Sequence, residues 1–282
     1  MAEVKAGTSH STTQAGHAGK PKNSNNFFIN LGLVALCIVV AIVIYNFVLG
    51  NPANFKDSLK MHPKDGNVPG LMYSGGFVVP VLLATLLTLI CFIVERALTV
   101  IKAKGKMDAG EFVRKVQYHL ANKNIDAAIA ECDKQAGSVG NVMRSGLDRY
   151  REMTTDREIT SEQKVLSIQK EIEEATALEL PMLEKNLVFL STISSCATLL
   201  GLFGTVMGMI RSFAAMANAG APDAGALAGG ISEALINTAL GISTSFIAII
   251  AYNFFTTLID GITFGIDESG FTLTQSFAST YK

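Results

Sequence analysis

Gly201-Leu202-Phe203-Gly204-Thr205-Val206-Met207-Gly208 lies at the centre of a segment that carries no charge from Asn186 to Ile210. A second uncharged run, Ala234 to Ile259, follows it. Between them stand Arg211, Asp223 and Glu233, with a turn signal at Ala219-Gly220-Ala221-Pro222-Asp223. Each run exceeds the roughly 20 apolar residues that cross a bilayer core as a helix. The pair reads as a transmembrane hairpin, and the placement of its polar residues carries the information.

Ser191, Thr198, Thr205 and Ser212 recur every seven residues, as do Ser194, Gly201 and Gly208. A seven-residue repeat keeps one face aligned down a left-handed helix bundle. The second arm repeats the pattern with Thr238, Ser245 and Tyr252, and Asn237 and Thr244 stand beside that seam. Folding the chain about Pro222 sets Arg211 and Glu233 at one depth, each eleven residues from the apex. Thr205 and Thr238, seventeen and sixteen residues away, should be level too. The count predicts a charged layer near the turn and a hydroxyl layer about a turn and a half deeper.

Two readings of these seams stand side by side. Small residues and hydroxyls serve ordinary membrane helix packing, in which Gly204 and Gly208, four apart, let backbones approach. Threonine can also bond back to its own helix. A carboxylate within a span is expensive and is a functional candidate by default, so Glu233 is either a pore group or the neutralised partner of Arg211. Gly201, Gly204, Gly208, Gly241 and Thr198 are assigned to the packing seam. Thr205, Thr238, Glu233, Asn237 and Ser245 are the candidates for a polar pathway.

Outward from the hairpin, the chain of 282 residues is 49% hydrophobic and 17% charged, with a mean hydropathy of +0.35. That is too apolar for a soluble protein of this length. A net charge of −1 gives no reason to expect nucleic acid. Cys37, Cys91, Cys132 and Cys196 show no metal or redox spacing, so neither a metal site nor a disulfide is expected. No nucleophile–base pair and no phosphate loop suggests an enzyme.

Residues 1–26 are rich in Ser, Thr, Gly, Asn and His and read as a disordered tail. Phe27–Leu49 is an uncharged run of 23 residues, longer than a signal-peptide core of about 7–15. No small-x-small cleavage site follows closely, so it reads as a retained signal anchor. A loop over 50–70 leads to a second span over 71–100, in which Pro80 is a candidate kink and Glu95-Arg96 closes the apolar part. Residues 101–185 hold fourteen of the 23 basic and fifteen of the 24 acidic residues, the composition of a polar helical domain. A helix is expected after Asn124, and another from a capping box at Thr160 and Gln163, running toward the membrane despite Pro181. Spans over 186–217 and 227–259, a turn over 218–226 and a tail over 260–282 complete the chain. The excess of Lys and Arg in 101–185 places that domain in the cytoplasm. Both termini are then cytoplasmic, and the loops over 50–70 and 218–226 face the periplasm. The expected fold is an all-α membrane protein of four transmembrane helices, with long helices extending from the membrane into a cytoplasmic helical domain.

Gly201-Leu202-Phe203-Gly204-Thr205-Val206, Gly208-Met209-Ile210 and Phe213, followed by Gly230-Ile231-Ser232-Glu233-Ala234-Leu235, Thr238-Ala239, Gly241 and Tyr252-Asn253, resemble the MotA/TolQ/ExbB proton channel family, in its ExbB/TolQ branch. The likeness extends more loosely over about 71–260. It implies a subunit of a homopentamer in the inner membrane of a Gram-negative bacterium. Such a pentamer encloses the span of an ExbD-like or TolR-like partner bearing a membrane-embedded Asp. Proton flow then drives motion passed to a TonB-like protein, with protons as the transported ion and no cofactor. The likeness maps Thr205 and Thr238 onto the family's pore-lining threonines and Glu233 onto its intramembrane glutamate. Ala197-Thr198 stands where the family often has Ala-Pro, Ile247 where it often has proline, and Phe27–Leu49 is additional to the three-span members. The Gly230–Leu235 motif favours an ExbB-like role over TolQ-like and MotA-like ones. A membrane scaffold or a secondary transporter are the readings from other classes, the latter needing an internal repeat that the chain does not display.

Overall fold

A computed structural model describes residues 23–56, 63–64, 66–156, 158–218 and 224–280. Most of the expected tail (1–22) and the turn at Pro222 (219–223) lie outside the described residues. Among the described residues the chain is helical, without strands. Four segments among these described residues are long and apolar enough to cross a membrane.

The first, α1 (Asn23–Val43), continues through a π-helical stretch, Ile44–Leu49, to Gly50. The second expected span begins later than the sequence suggests. A short α2 (Val68–Tyr73) stops at Ser74, and α3 (Val78–Lys104) starts only after Gly75 and Gly76. Gly76 has φ of 74°, a conformation that a side chain disfavours and that ends the first helix. Pro80 produces no break. It occupies the first turn of α3, where its missing N–H has no helical partner to lose. Glu95 and Arg96 lie within α3, which continues two turns past them.

The polar domain opens with α4 (Ala109–Ala121), capped by Asp108, and α5 (Ile125–Gln135), capped by Asn124, whose side chain accepts from the Ala127 amide. Next come α6 (Ser138–Thr155) and α7 (Ser161–Glu184). The capping box at the start of α7 forms, with Thr160 and Gln163 each accepting from the other's amide. Pro181 is tolerated inside α7. The interruption falls instead at Lys185 and Asn186, the latter at φ of 67°.

Helix α8 (Leu187–Asn218) and α9 (Ala224–Thr280) form the hairpin. At 1.5 Å per residue the 57 residues of α9 extend about 85 Å. The expected tail over 260–282 is therefore, as far as Thr280, the last third or so of this helix. Ile262, Ile266, Leu273 and Phe277 of α9 are buried in one core with Phe112, Val116, Leu147, Tyr150 and Ile168 of the polar domain. Tyr150 and Phe277 meet edge to face at 4.7 Å. Helix α1 packs on the outside, through a small cluster of Ala41, Leu49, Val79, Leu83 and Ala84.

Candidate functional site

The two hairpin helices touch backbone to backbone. A Cβ added at Gly201 would stand 3.1 Å from both the Asn237 carbonyl oxygen and Gly241 Cα, and one at Gly208 would stand 2.7 Å from the Gly230 carbonyl oxygen. Gly204 abuts the Asn237 side chain. Ser245 Oγ donates across the pair to the Ser194 carbonyl at 2.6 Å, and Ser212 Oγ reaches the Leu227 carbonyl at 3.3 Å. Small residues at these positions let the helices reach this distance.

These contacts fix the register, and they stagger the hydroxyl layer. Gly201, not Thr205, lies opposite Thr238, so the two threonines differ in depth by about one helical turn. They nevertheless share a side. Counting about 100° per residue, Thr205 lies about 40° from Gly201 and Thr238 about 60° from Gly241, in the same rotational sense. Because the helices are antiparallel, equal senses turn both residues toward the same side of the pair. Both are half-buried within one chain. Their donors are occupied: Thr205 Oγ1 bonds to the Leu202 carbonyl at 2.6 Å and Thr238 Oγ1 to the Ala234 carbonyl at 3.1 Å. The hydroxyl oxygens keep free lone pairs that can accept from water or from another chain. Thr198 is exposed on the same seam and also bonds back, to Ser194.

Of the other pathway candidates, Asn237 sits elsewhere and Ser245 is engaged in packing. Asn237 is completely buried and donates from Nδ2 to the Gly75 carbonyl at 2.8 Å, pinning α9 to the segment before α3. Its Oδ1 is buried without a hydrogen-bond partner. Ser245 spends its proton on the α8–α9 clamp. In a single chain Asn237 faces the segment before α3 and no lumen. Ser245, half-buried and about 40° from Gly241 in the same sense as Thr238, stays on the seam side with its proton already engaged.

The charged layer forms within one chain. Arg211 Nη1 donates to Glu233 Oε1 at 2.6 Å, and the two side chains are unequally covered, 47% exposed for Arg211 and 9% for Glu233. The guanidinium carbon also lies 5.2 Å from the Phe77 ring centroid. Gly76 stands directly over the Glu233 carboxylate, where any Cβ would collide with Oε1. The turn Gly75–Phe77 thus lids the pair, a part the sequence reading missed. Its signal was the Gly75-Gly76 dipeptide inside an apolar run.

A second polar cluster was also missed, at the other end of the spans. Arg96, 1% exposed, donates to both oxygens of Glu95 at 2.8 and 2.6 Å and to the Leu183 carbonyl at 3.0 Å. Asn186 Nδ2 bonds to Glu95 Oε2 at 3.1 Å, and Asn30 Nδ2 bonds to Asn186 Oδ1 at 3.0 Å. This network holds α1, α3 and the α7–α8 break together. Cys37 and Cys91 place their sulfurs 3.9 Å apart between α1 and α3, and all four thiols are free. Among the described residues no group of three His, Cys, Asp or Glu can hold a metal.

Residues 135–268, which include the whole glycine-packed contact and the Arg211–Glu233 pair, match the model of the MotA/TolQ/ExbB proton channel family. That region belongs to this family. The Tol-Pal system protein TolQ of Pseudomonas aeruginosa is 33% identical over 129 residues, 43% of this chain and 56% of that protein. A putative biopolymer transport protein, ExbB-like 3, of Synechocystis is 38% identical over 89 residues, 31% of this chain and 42% of that protein. The biopolymer transport protein ExbB of Pseudomonas putida is 43% identical over 72 residues, 26% of this chain and 22% of that protein. The chain thus spans about half the length, or less, of these curated relatives. By their names, the proteins it resembles there are of the ExbB/TolQ branch. The family is one of proton channels, not enzymes, and its bacterial members agree with a multi-pass bacterial membrane protein. Helices α1 and α3 lie outside the matched region.

Proposed function

We propose that the chain is an ExbB-like subunit of a motor in the bacterial inner membrane, driven by the proton motive force. Several copies, five by the resemblance, surround the span of an ExbD-like protein whose membrane-embedded Asp binds and releases the proton. The resulting motion is delivered to a TonB-like protein and energises transport across the outer membrane. The observation that carries this reading is the shared side of Thr205 and Thr238, half-buried in one chain with free acceptor lone pairs. Copies arranged about an axis, with that side inward, make a hydroxyl-lined wall. Hydroxyls both donate and accept, so the wall holds water and a partner carboxylate without introducing a fixed charge. A proton falling through the full potential releases about 2.3 kcal/mol per 100 mV. Glu233, lidded by Gly76 and paired with Arg211, sits nearer the periplasmic mouth, where the pair is neutral as a whole and braces that end of the hairpin rather than lining the wall.

The test is the double substitution Thr205→Val and Thr238→Val, which keeps shape and removes both hydroxyls. The complex should assemble at native mass while transport powered by the proton motive force is lost. Undiminished transport rejects the reading. The TolQ relative from Pseudomonas aeruginosa favours a second reading, a TolQ-like subunit working with a TolR-like partner. Co-purification of the native complex, followed by mass measurement, separates the two by the partner recovered.

A further inference from the structure

The hydroxyl seam ends in a cavity that the reading above does not use. It has a volume of about 330 Å³ and is lined by Glu184 at the end of α7, Leu187, Val188 and Ser191 of α8, and Tyr252, Thr256, Ile259 and Asp260 of α9. Ser191 is the next seam position after Thr198 on α8, and Tyr252 is the next after Ser245 on α9. The presence of Ser191, Tyr252 and Thr256 in one cavity independently places both seams on one side of the hairpin. A water takes about 30 Å³ of liquid, so the space holds a cluster of waters.

Thr256 distinguishes this cavity from a packing gap. Thr238, Thr244, Thr257, Thr263 and Thr274 of α9 each donate to a carbonyl of their own helix. Thr256 Oγ1 is buried and has no partner. A buried hydroxyl costs stability unless something bonds it, and the cavity beside it is where water can do so. Glu184 and Asp260 are both exposed and make no ion pair among the described residues. Two free carboxylates at the rim of a wet pocket, where the hydroxyl track stops, are chemically suited to take a proton.

We propose that this cavity is the inner mouth of the proton path, binding hydrated protons as they leave the Thr205–Thr238 wall. The proposal rests on the proton-channel reading. A hydronium on the water cluster gives its proton to the carboxylate of Asp260 or Glu184, leaving water and a neutral acid. The acid then returns the proton to cytoplasmic water and is a carboxylate again. Thr256 is a positioning residue that anchors the cluster.

Two measurements on the full chain test this. Thr256→Cys, in membrane vesicles, is exposed to a small cationic methanethiosulfonate on the cytoplasmic face, with the unsubstituted chain as blank. It should react about tenfold or more faster than Ile250→Cys, an apolar exposed position on the same helix, because a thiolate forms only where water reaches. Equal rates overturn the proposal. Proton flux into vesicles containing the native complex is then followed with a pH-sensitive dye. Asp260→Asn combined with Glu184→Gln should lower flux about tenfold, and Asp260→Glu should retain it. Full flux in the double carboxylate variant, alongside lost flux in the Thr205→Val/Thr238→Val variant, overturns the inner mouth and spares the channel reading. Full flux in the threonine variant removes the channel reading, and this proposal with it.

Discussion

The chain attaches its membrane helices in two different ways. Helices α8 and α9 meet through glycine, alanine, serine and asparagine, close enough that added methyl groups would strike backbone. Helix α1 meets α3 through ordinary aliphatic side chains, and Gly32 on α1 has nothing within 4 Å of an added Cβ. In lipid, apolar side chains gain little by touching each other rather than acyl chains, so close backbone packing and polar bonds decide which helices stay together. The α8–α9 pair is therefore the fixed part. Helix α1 depends on end pins: Asn30 at one end and, at the other, Tyr45, whose ring stacks on Tyr73 at 4.6 Å.

The sharpest way to break this comparison is steric. Gly201→Leu should push the hairpin apart and cost about 3 kcal/mol or more, because backbone on the partner helix cannot yield as a side chain can. Gly32→Leu should change stability by less than about 0.5 kcal/mol. Thermal unfolding in detergent measures both, and equal losses would abolish the distinction.

The charged layer offers the next effect. Removing Arg211 as Arg211→Gln strands a carboxylate that is 9% exposed, whereas Glu233→Gln leaves a guanidinium that is 47% exposed and can reach water. Arg211→Gln should therefore be the more destabilising, by about 1–2 kcal/mol. A double-mutant cycle compares them, and the reverse order would mean that Glu233 has another partner in the assembly. Gly76→Ala should cost a similar amount, about 1–2 kcal/mol, from the left-handed backbone alone, and more if the lid cannot lift off Glu233.

A smaller effect is expected at the outer helix. Asn30→Ala removes one hydrogen bond to Asn186 and should cost about 1 kcal/mol, with α1 becoming more accessible to protease while the α8–α9 pair is unaffected. Smallest is a pH effect in the polar domain. The Lys134 ammonium, bonded to Glu131 at 2.5 Å, holds that carboxyl below its usual range. A folded value below the unfolded one gives stability that is complete above the unfolded pKa, about 4.3, and is lost as pH falls through the folded pKa. Lys134→Met should flatten the stability profile in that acid window and leave it unchanged at neutral pH.

Counting about Pro222 located Arg211 and Glu233 within reach of each other, yet misjudged Thr205 and Thr238 by a turn. The reason is reach. A count assumes a symmetric turn, and a long arginine side chain spans an error of a few residues that a threonine cannot. The glycine contacts, not the turn, set the true register. Glu95-Arg96 was legible as the end of an apolar run but not as a clamp, because its partners Leu183 and Asn186, and Asn30 beyond them, come from two other segments.

The sequence by itself determined the number of apolar runs long enough to span, their helical state and the family likeness of residues 135–268. A bilayer makes these local properties: every spanning backbone group must bond within its own helix, so run length and charge suffice. Only the tertiary structure decided that Asn237 is an interior pin, that Gly76 lids Glu233, that the long helix breaks at Asn186 and not at Pro181, and that the hydroxyl seam opens into a cavity at Thr256. Each of these depends on contacts between distant segments, 162 residues apart for Asn237 and Gly75, and no periodicity within one helix encodes the rotation of its neighbour.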